Sequence, residues 1–249
     1  MLTKLKRLFS KGKLEAEFVS QYKDLLNLQE KSKKRFTLDK TNFYPCLYDN
    51  TSNTGFDRHY VYHPAWAARI IRQNNPSKHI DISSTLHFCS VLSAFIPVDF
   101  YDYRPANLIL DNLKSVAGDL MKLPFTSDTI ESLSCMHTVE HVGLGRYGDL
   151  LDYDGDIKAI DELKRVLKPG GSLLFVVPVG AKDIICFNAH RIYTKEHVLD
   201  LFSDLELKEF AFIPEKEEDG GLIRDPSPAL LNTQFYGCGC FWFTKTNLI

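Results

Sequence analysis

The sequence predicts an α/β protein with a doubly wound, mainly parallel seven-stranded sheet and an antiparallel last strand. Three observations predict it. Strand-like runs alternate with helix-like runs from about residue 79 onward, and such alternation gives parallel strands joined by crossovers on both sheet faces. Residues 173–177 form an unbroken apolar run, as a central strand covered on both faces requires. Residues 205–212 and 235–244 read as strands with no helix between them, which makes the final pair antiparallel.

Each element follows in order. Residues 14–34 carry Phe18, Tyr22, Leu25 and Leu26 at helical spacing. Residues 36–58 are rich in Asn, Thr, Asp and Gly and read as an irregular connection. His63-Pro64 opens a helix through Trp66 and Ile70, and Asn74-Asn75-Pro76 ends it. A strand over 79–83 is followed by a helix near 86–94. A second strand covers 98–103, and a helix follows Pro105. Residues 115–118 and 129–136 are the third and fourth strands. Residues 156–167 form an amphipathic helix with Ile157, Ile160, Leu163, Val166 and Leu167 on one face. Lys168-Pro169-Gly170-Gly171 stops it. Thr194 caps a further helix containing Val198, Leu199, Leu201 and Phe202. The chain thus divides into an N-terminal helical and irregular extension, 1–58, and an α/β domain, 59–249.

Bulk properties narrow the function classes. Of 249 residues, 44% are hydrophobic and 25% charged, which permits a sizeable core. The net charge of -2 supplies no field for nucleic acid, and no basic, aromatic-lined groove is legible. No stretch approaches the ~20 apolar residues needed to span a bilayer, and the basic N-terminus lacks the apolar segment of a signal peptide. A cytoplasmic protein is therefore expected. Lys4, Lys6, Arg7, Lys11 and Lys13 interleave with Leu2, Leu5, Leu8 and Phe9. That pattern is a frayed basic terminus, with peripheral membrane or protein docking as the alternative. None of the six cysteines forms a C-x-x-C pair, so they read as reduced structural thiols.

In a doubly wound sheet, ligands bind beyond the C-terminal strand ends. Four segments fall there. Asp81-Ile82-Ser83-Ser84 closes the first strand, with side chains small enough for a ligand to approach the backbone, or simply a Ser cap for the next helix. Asp102 closes the second, where a carboxylate can accept hydrogen bonds from two ribose hydroxyls or pair with Arg104; Tyr103 beside it can cover an adenine face. Asp119 and Leu120 follow the third, placed for an exocyclic amine and a ring face, unless Asp119 only caps a turn. His137, Glu140 and His141 follow the fourth. They read H-x-x-E-H, but no third metal ligand is evident, so no metal is expected. His141 is read as a general base or substrate ligand, or else as a structural histidine.

These segments, in this order, resemble the class I S-adenosylmethionine-dependent methyltransferases. The resemblance rests on IDISSTLHFCSVLSAF, VDFYDYRP, AGDLMKLPF, SCMHTVEHVGLGRYGD and ELKRVLKPGGSLLFVVPVG, and covers about residues 60–245. Within that group the chain is similar to a methyltransferase-like family of unassigned function. Serines stand where the group usually has Gly-x-Gly. The resemblance implies a Rossmann-like methyltransferase fold and S-adenosylmethionine as cofactor, held by Asp81, Ser83, Ser84, Asp102, Tyr103, Asp119 and Leu120. It implies methyl transfer, with His141 first, Glu140 second and His137 near the methyl group. His190, Arg191, Arg146 and Tyr147 are the expected acceptor contacts. The implied acceptor is a sugar or other small molecule in glycan biosynthesis. A non-catalytic module in glycan assembly, or another nucleotide-dependent enzyme, are the rival expectations.

Overall fold

The computed structural model describes residues 2–246, with side chains from residue 11 onward. The amphipathic reading of Leu2, Leu5, Leu8 and Phe9 falls on side chains outside the described residues. No described helix is long and apolar enough to cross a membrane.

The chain divides into two compact units, Met1–Phe56 and Asp57–Ile249. In the first, helix α1 (Leu2–Glu30) is followed by an irregular segment with one 3-10 turn, Lys40–Asn42. Phe43 returns edge-on to Phe18 and Tyr22, with ring centroids 5.0 and 4.7 Å away. At the start of the second unit, the Asp57 carboxylate caps α2 (Arg58–Asn74), accepting the Tyr60 N–H at 3.1 Å. The helix therefore starts a turn and a half before the His63-Pro64 pair expected to open it, and Pro64 lies inside it. Asn75 ends it in the left-handed region, φ 47°.

The second unit is the doubly wound sheet. Strands β1 (His79–Ile82), β2 (Val98–Asp102), β3 (Leu113–Ala117), β4 (Ile130–Met136) and β5 (Leu167–Val179) are parallel. Helix α3 (Leu86–Leu92) follows β1, and α4 (Gly155–Val166) leads into β5. A small antiparallel pair, β6 (Ile184–Cys186) and β7 (His190–Ile192), stands apart from the main sheet and was not legible in the sequence. Helix α5 (Lys195–Leu201) is capped by Thr194, as expected. Then come β8 (Glu206–Ile213), β9 (Ile223–Arg224), α6 (Pro228–Leu231) and β10 (Gly237–Thr244). The order is β3-β2-β1-β4-β5-β10-β8-β9. β10, last in sequence, inserts antiparallel between β5 and β8. The sheet has eight strands rather than seven, because the two-residue β9 adds an antiparallel edge to β8.

Two cores sandwich the sheet. One face packs Ile160, Leu163 and Val166 of α4 and Val198 of α5 with Phe175, Phe210 and Phe241. The other packs Trp66, Ile70 and Ile71 of α2 and Phe88 of α3 with Val176, Ala211 and Cys240. The helical stripes supply these contacts at three- and four-residue spacing. Two local expectations are corrected. Ile157 lies on the exposed side of α4, and Ala159 takes its place in the core. No helix follows Pro105: residues 103–112 form turns closed by a Leu110–Leu113 bridge, with Asn112 at φ 58°. Pro105, Asn107 and the Asp111-Asn112 pair favour turns over a helix in so short a connection.

Candidate functional site

The strand order reverses between β1 and β4, and a cleft of about 720 Å³ opens at the C-terminal strand ends beside that switch point. All of its lining residues belong to the second unit.

At the end of β1, Ser83 adopts φ 54°, in the left-handed region. Its N–H donates to Tyr101 O at 2.8 Å, and its hydroxyl donates to the same carbonyl at 3.1 Å. Those bonds offset the strain of a non-glycine residue there, of the order of 1–2 kcal/mol. Ser84 Oγ accepts the Met136 N–H at 3.1 Å, which ties the loop to β4. Asp81 does not line the cleft. It is fully buried behind it, accepting the Ser84 N–H at 3.0 Å and the Ser134 hydroxyl. Burial pushes its carboxyl above the usual range, against those hydrogen bonds. It shapes the loop and does not face a ligand.

Asp102 and Asp119, at the ends of β2 and β3, both line the cleft. Each closes a two-residue turn with one oxygen: Asp102 Oδ1 accepts the Arg104 N–H at 2.7 Å, and Asp119 Oδ1 accepts the Met121 N–H at 2.9 Å. Oδ2 of each has no hydrogen-bond partner among the described residues. The Asp102–Arg104 contact is thus made by Arg104's backbone; its guanidinium lies instead over the Tyr147 ring, 4.5 Å from the centroid. Tyr103 and Leu120 border the same space.

The segment after β4 forms the opposite wall. His137 is buried at φ 56° and donates from Nδ1 to Glu140 Oε1 at 2.9 Å. Glu140 is 1% exposed, and its Oε2 has no partner. His141 Nδ1 lies 2.6 Å from Ala189 O. Two acceptors would repel at that distance, so Nδ1 carries the proton and Nε2 keeps its lone pair. Nε2 lies 3.7 Å from Glu140 Oε1. Arg146, Tyr147 and His190 line this end, and burial moves His190 below its ordinary value.

Arg191 is corrected. It is 5% exposed and does not reach the cleft. Its guanidinium donates to Val142 O at 2.6 Å and Tyr153 O at 2.9 Å and pairs with Asp156 at 3.5 Å. It clamps the connection between β4 and α4 from behind.

The sequence reading missed the residues that α2 and β10 bring to this wall. Tyr60 and Tyr236 line the cleft. The His59 ring stacks on His137 at 5.3 Å and 7°, and His63 lies 5.2 Å from it. Burial pushes His59 down to about 4 and His63 well below its ordinary value. Cys238 Sγ stands 3.4 Å from His137 Nε2. His59 and His63 share a face of α2 at i, i+4, but no local spacing signals that they meet His137 and Cys238.

The comparisons fit this geometry. The N-methyltransferase NodS from Bradyrhizobium japonicum WM9, solved with S-adenosyl-L-homocysteine, superposes with a TM-score of 0.52 at 15% identity, over 74% of this chain and 86% of that one. The Burkholderia thailandensis 1,6-didemethyltoxoflavin-N1-methyltransferase, solved with 1,6-didemethyltoxoflavin and S-adenosylhomocysteine bound, gives 0.53 at 12% identity, over 94% of this chain and 88% of that one. This is the class I methyltransferase fold. Residues 119–219 also match a family described as Caenorhabditis protein of unknown function, DUF268. No curated protein sequence matches the chain.

The unshared oxygens of Asp102 and Asp119 are free to accept hydrogen bonds from a ligand in the cleft. The residues present fit an adenosyl cofactor at the β2 and β3 ends. At the β1 loop, the Ser84 N–H is already taken by Asp81, so this methyltransferase fold offers fewer backbone donors there.

Proposed function

We propose that the protein is an S-adenosylmethionine-dependent methyltransferase acting on an oxygen of a sugar or other small acceptor in glycan biosynthesis. One observation carries the reading: Asp102 and Asp119, from different strands, share a cleft with His141, whose Nε2 lone pair is available. When bound, the cofactor supplies an electrophilic methyl group.

The chain's own residues do the rest. Asp102 accepts from ribose hydroxyls, and Asp119 from an exocyclic amine. Ser83, Ser84 and Tyr103 flank the cofactor, with Leu120 against the ring. His141 accepts the proton of an acceptor hydroxyl at Nε2, because Ala189 O holds the other nitrogen protonated. The imidazolium so formed faces Glu140 Oε1 at 3.7 Å, which stabilises it. Arg146, Tyr147 and His190 border the acceptor end, and Tyr236, absent from the sequence reading, packs on His190 with ring centroids 4.7 Å apart.

Calorimetry with S-adenosylhomocysteine tests the reading. Binding by the wild type, weakened about 10- to 100-fold in Asp102→Ala, is expected from the loss of two hydrogen bonds to a carboxylate. A wild type that takes no ligand at millimolar concentration would leave a non-catalytic module, which the internally bonded β1 loop favours.

A further inference from the structure

We infer that His59, His137 and Cys238 bind a zinc ion in the cleft wall. The inference does not rest on methyl transfer. It also departs from the sequence reading, in which His137 and His141 were the paired histidines and no metal was expected.

The geometry is that of a three-ligand site. One ligand atom from each residue lies within 4.8 Å of the other two. Tetrahedral zinc with Zn–N near 2.0–2.1 Å and Zn–S near 2.3 Å separates nitrogen and sulfur by about 3.6 Å. His137 Nε2 and Cys238 Sγ stand 3.4 Å apart. To close the set, the His59 ring turns out of its 7° stack on His137, so that its nitrogen lone pair faces the same ion. Two imidazoles and a thiolate form a borderline-soft donor set that suits zinc and leaves one position open, as in catalytic rather than structural sites.

The surroundings supply what a metal-bound histidine requires. His137 donates its Nδ1 proton to Glu140 Oε1 at 2.9 Å. That bond fixes the tautomer and presents the Nε2 lone pair to Cys238, the carboxylate–histidine arrangement that orients metal ligands. The wall also holds polar atoms that the protein alone leaves unsatisfied. Both ring nitrogens of His63 and Oε2 of Glu140 are buried without hydrogen-bond partners. Each residue touches His137: the His63 ring at 5.2 Å and Glu140 by its hydrogen bond. Neither residue is one of the three ligands, so these atoms mark a polar wall around the site rather than the metal position itself. Of the three ligands only His137 is among the cleft-lining residues, so the ion sits within the wall, where a water completes the coordination.

The full-length protein is expressed with zinc in the medium, desalted and analysed for metal by mass spectrometry. Zinc affinity follows from competition with a chromogenic chelator. A single zinc per chain is expected. His59→Ala and Cys238→Ser each weaken zinc by about a hundredfold or more, while Cys46→Ser, an exposed thiol outside the cleft, does not. Titration with cobalt(II) produces a thiolate-to-cobalt absorption that Cys238→Ser abolishes. Circular dichroism verifies that the near-isosteric Cys238→Ser is folded. Wild type that takes up no zinc at saturating concentration, or undiminished affinity in both variants, overturns the site. S-adenosylhomocysteine calorimetry on the same samples separates the two ideas: zinc bound without the nucleoside ligand sinks only the proposed methyl transfer.

Discussion

The proton positions at His141 set the chemistry available at the residue scale. Its Nδ1–H donates to Ala189 O at 2.6 Å, and Arg146 donates to the same carbonyl at 3.0 Å. The Arg146–His141 approach of 3.2 Å is therefore a close contact and not a second hydrogen bond. With Nε2 as base, His141→Ala slows turnover about 10²- to 10⁴-fold and leaves S-adenosylhomocysteine affinity unchanged. Paired single-turnover and binding measurements check this, and parallel losses in both would move His141 from base to cofactor contact. The residues at the strand ends were legible because turn-forming acids after apolar runs are local signals. Asp81 was misread as a cofactor contact for the same reason: a sequence shows that an acid closes a strand, not which way its carboxylate turns.

Among elements, the connection from β4 to α4 is the most constrained part of the site. Gly143 and Gly145 donate to Asp149 Oδ2 at 2.7 and 3.3 Å, and Arg191 pins both ends of the segment through Val142 O and Tyr153 O. Gly143 has φ 79°, and a Cβ there would lie 2.1 Å from Asp152 O. Gly143→Ala is expected to destabilise the protein by about 3 kcal/mol or more, from left-handed strain plus a backbone clash. Arg191→Met leaves Asp156 as a buried carboxylate whose remaining bond is from the Tyr193 hydroxyl at 2.8 Å. A loss of about 3–5 kcal/mol follows. Urea denaturation measures both. A stable Arg191→Met protein with a raised acceptor KM would restore the substrate role first expected for this residue. The β6–β7 pair escaped the sequence because each strand has three residues, too short to show a period of two.

For the whole molecule, the buried polar groups of β1 make stability depend on pH. His79 is fully buried between Ser132 and Ser134, each 2.8 Å from a ring nitrogen, and burial pushes it from 6.5 down to about 3. The unfolded chain takes up this proton near pH 6.5 and the folded chain only near 3. Unfolding therefore absorbs a proton in that window, and stability falls as the pH drops from about 6.5 towards 3. The contribution is up to about 1.4 kcal/mol per pH unit. Asp81, whose carboxyl is pushed up by burial, runs the other way, losing stability as pH rises above its unfolded value. Urea midpoints at pH 7, 6 and 5 are expected to fall less steeply in His79→Asn than in the wild type; equal slopes would show that His79 is not the group responsible. Every cleft residue and both apolar cores lie within 57–249. That segment alone is expected to unfold cooperatively and to bind S-adenosylhomocysteine with full-length affinity, as calorimetry would register.

The fold class, the alternation of strands and helices, the antiparallel end and the acids Asp102 and Asp119 were set by sequence alone. Each depends on local periodicity or on a residue's place within a few positions of a strand end. Only the tertiary structure decided that Arg191 turns inward, that Asp81 lies behind its loop, and that His59, His63, His137 and Cys238 meet. Those contacts join α2, the end of β4 and β10 across most of the chain's length. Their cause is the insertion of β10 beside β5 and the packing of α2 over that sheet face, and no spacing along the chain encodes such a meeting.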